Sequence, residues 1–156
     1  MAEKKSYYKK KGEFKPKVEY KPKRGKLAPL MSEEDKQNAG IHELSYDFGC
    51  RITRLFQYLT EDSENKEYVI SKQIYRSGTS VGANVRESKH AQSDADFLSK
   101  ATIALKESRE SETWLHMLSD NGYLDQRMSE SILHDCARIN KILITITAKV
   151  RKRLKE

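Results

Sequence analysis

Arg109 and His116 stand seven residues apart in a stretch with helical periodicity, so both point the same way from one helix. An imidazole so placed could act as general acid or base while the guanidinium holds a scissile phosphate, the chemistry of a helical ribonuclease. The plainer reading is ordinary spacing in a charged helix. Glu87 and His90 form Glu-x-x-His, the helical spacing that carboxylate-bridged di-iron bundles use. Such a centre needs the motif twice, plus two further glutamates. Glu112 with His116, and Glu130 with His134, have one residue too many, so solvated helix faces explain all three pairs. Gly78 and Gly82 lie inside a helical pattern rather than after a strand, so they do not make a phosphate loop. No nucleophile triad can be assigned. The expectation is no catalytic residue, no metal and no other cofactor.

The stronger chemical signal is cationic. Residues 1–30 hold eleven Lys/Arg against three Asp/Glu, a net +8, whereas residues 31–156 hold nineteen against twenty, a net −1. The pI near 9.3 therefore describes a leader, not the body. Lys9, Lys10, Lys11, Lys15, Lys17, Lys21, Lys23, Arg24 and Lys26 are interleaved with Tyr7, Tyr8, Phe14 and Tyr20. Pro16, Pro22 and Pro29 all fall here and disfavour helix. The composition predicts an extended, disordered arm. It is either a solubilising tail or an electrostatic clamp on nucleic acid, with rings available to stack on bases. A polybasic membrane contact lacks an apolar anchor. Arg151, Lys152 and Arg153 near the C-terminus suit the negative end of a helix dipole and could also extend a basic surface.

These groups must be positioned by helices. The chain divides into residues 1–40, a basic arm and linker, and residues 41–156, a four-helix bundle. Ser32 before Glu33, Glu34 and Asp35 marks one short turn of helix. Leu44, Phe48, Ile52, Leu55 and Leu59 predict a first amphipathic helix over about 41–60. The second, over about 66–90, is built around Gln73–Glu87. Its apolar face is Ile70, Ile74, Val81 and Val85, and Ser77, Gly78, Thr79, Ser80, Gly82 and Ala83 lie among them. Each Gly costs roughly 1 kcal/mol relative to Ala, which a helix tolerates where another backbone comes close. The third, capped by Ser93, carries Phe97, Ala101, Ala104, Ser108, Ser111, Leu115 and Leu118 and ends at Asn121-Gly122. The fourth, over about 125–155, carries Ile132, Cys136, Ile139, Leu143, Ile146 and Val150. Short loops between them predict an all-α, up-down-up-down antiparallel bundle. Cys50 and Cys136 fall on apolar stripes and read as reduced core thiols, which suits the cytoplasm. No apolar run is long enough to span a membrane.

Arg76, Asn84 and Glu87 on the second helix, with Glu107 and Glu110 on the third, could form an ion-pair and amide network. Such a network would fix helix register or a subunit interface. Arg76, Asn84, Glu87 and Glu107, with Ser77, Gly78, Ser80, Gly82 and Trp114, make the candidate packing and oligomer set. Trp114 reads equally as core packing or as a subunit contact.

RSGTSVGANVRES, then DFLSKATIALKESRESETWL, then NGYL, resembles the bacterial four-helix-bundle family of ribosomal-RNA intervening-sequence proteins. More distantly it is similar to the accessory variability proteins of diversity-generating retroelements, in architecture more than in motif. The likeness covers about residues 44–150 and rests on the Arg-Ser opening, Ser80, Asn84, Glu87, Phe97-Leu98 and Ala104-Leu105-x-Glu107. It implies a protomer that assembles into a homopentamer and a nucleic-acid-linked role without known catalysis. In the retroelement branch, it implies binding to RNA or DNA and to a reverse transcriptase. The near-neutral body and the lysine-rich arm depart from the family pattern. Together the residues and the resemblance predict a non-enzymatic, oligomeric nucleic-acid-binding accessory protein of low sequence specificity, for RNA or a ribonucleoprotein. The alternatives are a scaffold docking a partner such as a reverse transcriptase and, third, the ribonuclease of Arg109 and His116.

Overall fold

The computed structural model describes residues 31–156. The predicted disordered arm, with its candidate contacts from Tyr7 to Lys26, lies outside the described residues. Four long helices run up, down, up and down, with a short helix ahead of them. Among the described residues there is no strand, and no helix is long and apolar enough to cross a membrane.

Helix α1, Glu33–Asn38, starts where the Ser32 hydroxyl accepts the Asp35 N–H at 3.0 Å, with acids in its first turn. It is tied to the bundle, so the linker assigned to residues 31–40 includes a docked element. Helix α2, Ile41–Gln57, ends three residues before the expected point and widens into one π-helical turn, Tyr58–Asp62. The Ser63 N–H closes that turn on the Tyr58 carbonyl at 2.8 Å.

Helix α3, Ile70–Ser88, starts about four residues later than the apolar pattern suggests. Glu67 is the reason. Its carboxylate accepts the N–H groups of Val69 and Ile70 at 2.8 Å and of Ser71 at 2.5 Å, so it caps the helix from outside. Burial alone would raise its pKa, but the N–H donors of Ile70, Ser71 and Val69 hold it below the ordinary glutamate value. Helix α4, Asp94–Asp120, is capped by Ser93 and stops before Gly122, which takes φ 76°. Helix α5, Gln126–Arg153, is capped by Asp125, whose carboxylate accepts the Met128 N–H at 2.8 Å.

The predicted stripes form one core. Leu44, Phe48, Ile52, Leu55 and Leu59 meet Ile74, Val81 and Val85, then Ala104, Leu115 and Leu118, then Ile132, Cys136, Ile139 and Leu143. Four positions differ, the first being Ile70, which is half-buried at the start of α3. Phe97 and Ile146 are half-buried, and Thr147 turns inward instead, its hydroxyl bonded to the Leu143 carbonyl at 2.9 Å. A straight helix drifts from a strict seven-residue repeat, and by the last turns of α5 the inward face has moved on by one residue. Cys50 is half-buried, not a core thiol. Cys136 is buried, and burial pushes its thiol up to about 12 despite the Ser108 hydroxyl beside it.

The small residues of α3 permit the close approach that their types suggest. A Cβ on Gly78 would stand 2.6 Å from Cγ1 of Ile52, and one on Gly82 would stand 3.2 Å from the Ser45 carbonyl oxygen. On the other side, the Ser111 hydroxyl donates to the Ser77 hydroxyl at 2.9 Å in the buried α3–α4 seam.

Candidate functional site

Lys36 is 1% exposed. Its Nζ donates to both Asp135 oxygens, at 2.7 and 2.8 Å, with Glu33 at 3.2 Å and Asp47 at 4.0 Å. Arg51, equally buried, donates to Asp135 and to the Ser131 carbonyl at 3.1 Å. Arg138 donates to the Lys36 carbonyl. Two buried cations thus face two buried carboxylates across α1, α2 and α5. The cluster occupies the side where neighbouring long helices touch least, between α2 and α5, and α1 lies across it. Removing one partner would leave an uncompensated charge, at a cost of about 3–5 kcal/mol.

None of these residues stood out in the sequence. Asp47 and Arg51 are one turn apart and read as a surface pair. The available signal was their adjacency to the stripe residues Phe48 and Ile52, and that of Asp135 to Cys136. Lys36 carried no local signal at all.

Among the described residues, no hydrogen bond or ion pair joins Arg76, Asn84, Glu87, Glu107 and Glu110 to one another. Glu87 pairs with Lys100 at 2.5 Å, which raises the Lys100 pKa by hydrogen bond first and charge second. The Asn84 amide donates to the Ser80 carbonyl at 2.9 Å on its own helix. Glu110 accepts the Trp114 indole N–H at 3.1 Å, while the half-buried ring packs against the core. One Glu107 carboxylate oxygen is buried without a partner among the described residues, and Arg76 is exposed. Arg109 pairs with Glu112 at 3.1 Å, and the Asn140 amide donates to the same carboxylate oxygen at 3.1 Å. His116 is exposed two turns away, about 10 Å along the axis.

Charge is sorted along the bundle. The end formed by residues 41–45, 86–100 and 146–156 has eight Lys/Arg and five Asp/Glu, a net +3. The opposite end, residues 58–70 and 117–130, has two against seven, a net −5. Helix α5, 28 residues and so about 42 Å long, spans the two. The basic end holds two clefts. One, of about 660 Å³, is lined by Lys89, Gln92, Ser93, Phe97, Lys149 and Arg153 among others. On its rim Arg153 meets Asp94 at 2.6 Å, both half-exposed or more. The other, of about 510 Å³, lies between Tyr46, Gly82 and Arg86, and Tyr46 is 70% exposed. His42 lines both clefts, and its Nδ1 is buried without a hydrogen-bond partner among the described residues. Of the candidate contacts in the C-terminal tail, Arg153 reaches a cleft, and Arg151 and Lys152 are exposed beside it.

Residues 37–145 match the 23S rRNA-intervening sequence protein family. Among solved structures, a protein of unknown function from the S23 ribosomal protein family of Bacteroides thetaiotaomicron VPI-5482 is 48% identical, with a TM-score of 0.67. That match covers 69% of this chain and 98% of the other. No curated protein matches. The family span includes the core of all four long helices and leaves out Lys36, the arm and the last turns of α5. The chain belongs to the 23S rRNA-intervening sequence protein family.

Proposed function

We propose that this protein is a non-enzymatic, oligomeric nucleic-acid-binding accessory protein that acts in the cytoplasm on RNA or a ribonucleoprotein. One observation carries the reading: the net +8 of residues 1–30 set against the net −1 of the remainder. Such a leader neutralises phosphates and releases counterions whatever the base sequence, so affinity is salt-dependent and specificity low. The family's link to a ribosomal RNA intervening sequence is consistent with an RNA partner.

The bundle supplies assembly. The Glu107 oxygen, buried and unpartnered among the described residues, favours a contact with another copy, and the family resemblance supports a homopentamer. Several arms on one assembly raise the effective concentration of weak contacts into firm binding. The arm's contacts are Tyr7, Tyr8, Phe14, Tyr20 and the lysines between and beyond them.

Deleting residues 1–30 is the test. Every described helix lies within residues 33–153, so the truncated protein should keep them, which its circular dichroism checks. RNA affinity then drops by orders of magnitude, and the slope of log affinity against log salt flattens. Equal binding by the truncated protein removes the arm as the site.

The second reading is a scaffold that docks a partner enzyme such as a reverse transcriptase. The exposed Val69, Tyr68 and Tyr75 favour it. A protein partner that stays bound after nuclease treatment distinguishes it.

A further inference from the structure

We propose that the basic end of the bundle is a second binding site, for single-stranded nucleic acid, where Tyr46 stacks on a base and Lys89, Lys149 and Arg153 hold the adjoining phosphate. The proposal rests on the nucleic-acid reading above but not on the arm.

Four observations converge. The two clefts meet at His42, so an aromatic platform and a cationic pocket adjoin. Tyr46 leaves 70% of its surface in water. Gly82 has no side chain to fill the floor beside it, and Arg86 brings a guanidinium to the same cleft. A flat ring with a neighbouring cation suits a nucleobase of any identity. Lys149 and Arg153 lie on the last turns of α5, where Arg151 and Lys152 add two further cations.

The chemistry also selects against other ligands. The Arg153–Asp94 pair is exposed, so trading the carboxylate for a phosphate costs little. His42 sits where the two clefts meet, and its Nδ1 is buried without a partner among the described residues. Duplex nucleic acid hides the faces of its bases, whereas a single strand can present a base to Tyr46 and its phosphate to the lysines together.

The experiment uses the full chain and fluorescence anisotropy with labelled oligouridylate, oligo-deoxythymidylate and a duplex. Tyr46→Ala weakens both single strands about tenfold and leaves the duplex within about twofold, and Tyr46→Phe restores the loss. Lys149→Glu weakens all three ligands several-fold. Lys141→Glu, the same charge change on α5 away from both clefts, has a clearly smaller effect. A loss with oligouridylate alone assigns the site to RNA, and equal losses assign it to either backbone. Wild-type affinity in both Tyr46→Ala and Lys149→Glu overturns the proposal. So does a fall in solution mass with Tyr46→Ala, which would make Tyr46 a contact between copies. If arm deletion abolishes binding while these variants do not, only this proposal fails. If the wild-type chain binds no nucleic acid, the functional reading fails with it.

Discussion

The α3–α4 seam and the α2–α5 seam close in opposite ways. In the first, Ser77 and Ser111 are small enough for the helices to meet and bond to each other, while Ser108 on the same α4 bonds across to Cys136 of α5. In the second, the helices contact each other sparsely, and a separate helix brings Lys36 to bridge Asp135 and Asp47. Small residues gain stability from dispersion and short buried bonds. Buried ions gain mostly geometry, because desolvation consumes much of their attraction. The first seam sets distance, and the second sets which segment may lie there.

The largest expected effect is at the ionic seam. Asp135→Ala leaves Lys36 and Arg51 without their shared carboxylate and should cost about 3–5 kcal/mol in urea unfolding. Asp135→Asn keeps the shape and one acceptor but drops the charge, and should lose most of the same stability. A small loss would mean that packing, not charge, sets the cost.

Gly78→Ala comes next, at the α2–α3 contact. The added methyl meets Ile52 at 2.6 Å. Overpacking of about 1–3 kcal/mol outweighs the roughly 1 kcal/mol of helix propensity that Ala gains. Ile52→Ala should cost less in the Gly78→Ala background than in the wild type, a coupling that a double-mutant cycle reads directly.

The smallest is Glu67→Gln, which weakens the α3 cap by about 1 kcal/mol at neutral pH. The wild-type carboxylate has a folded pKa below its unfolded one. Its contribution is therefore complete above the ordinary glutamate range and disappears as pH falls through the lowered value. The variant should lose less stability than the wild type between neutral and acid pH. Parallel acid profiles would remove Glu67 as the titrating cap.

The contrast between the seams also explains what the sequence could reveal. Apolar spacing locates α2 to α5, because a helical face must be buried wherever it repeats. Gly78 and Ser77 were readable as a contact because their smallness has few other uses in a helix. Asp47, Arg51 and Asp135 were not, since charged residues usually mark solvent and only a distant partner shows otherwise. Lys36 lies 99 positions from Asp135, so no local pattern could join them. The late start of α3 was hidden for a similar reason: Glu67 acts from before the helix, without the usual Ser, Thr or Asp at the cap. The charge sorting was written in the residues but needed the topology, because the end-forming segments are scattered along the chain.

The clasp at Lys36 also has a mechanical meaning. A pull on the chain ahead of Ser32 would arrive at α1 before it reached Gly40 and the bundle's own first helix. Asp135, on the last helix, would bear that load through two short bonds. A tug ahead of α1 would thereby pass straight to the middle of the last helix, and the three helices between would feel it last.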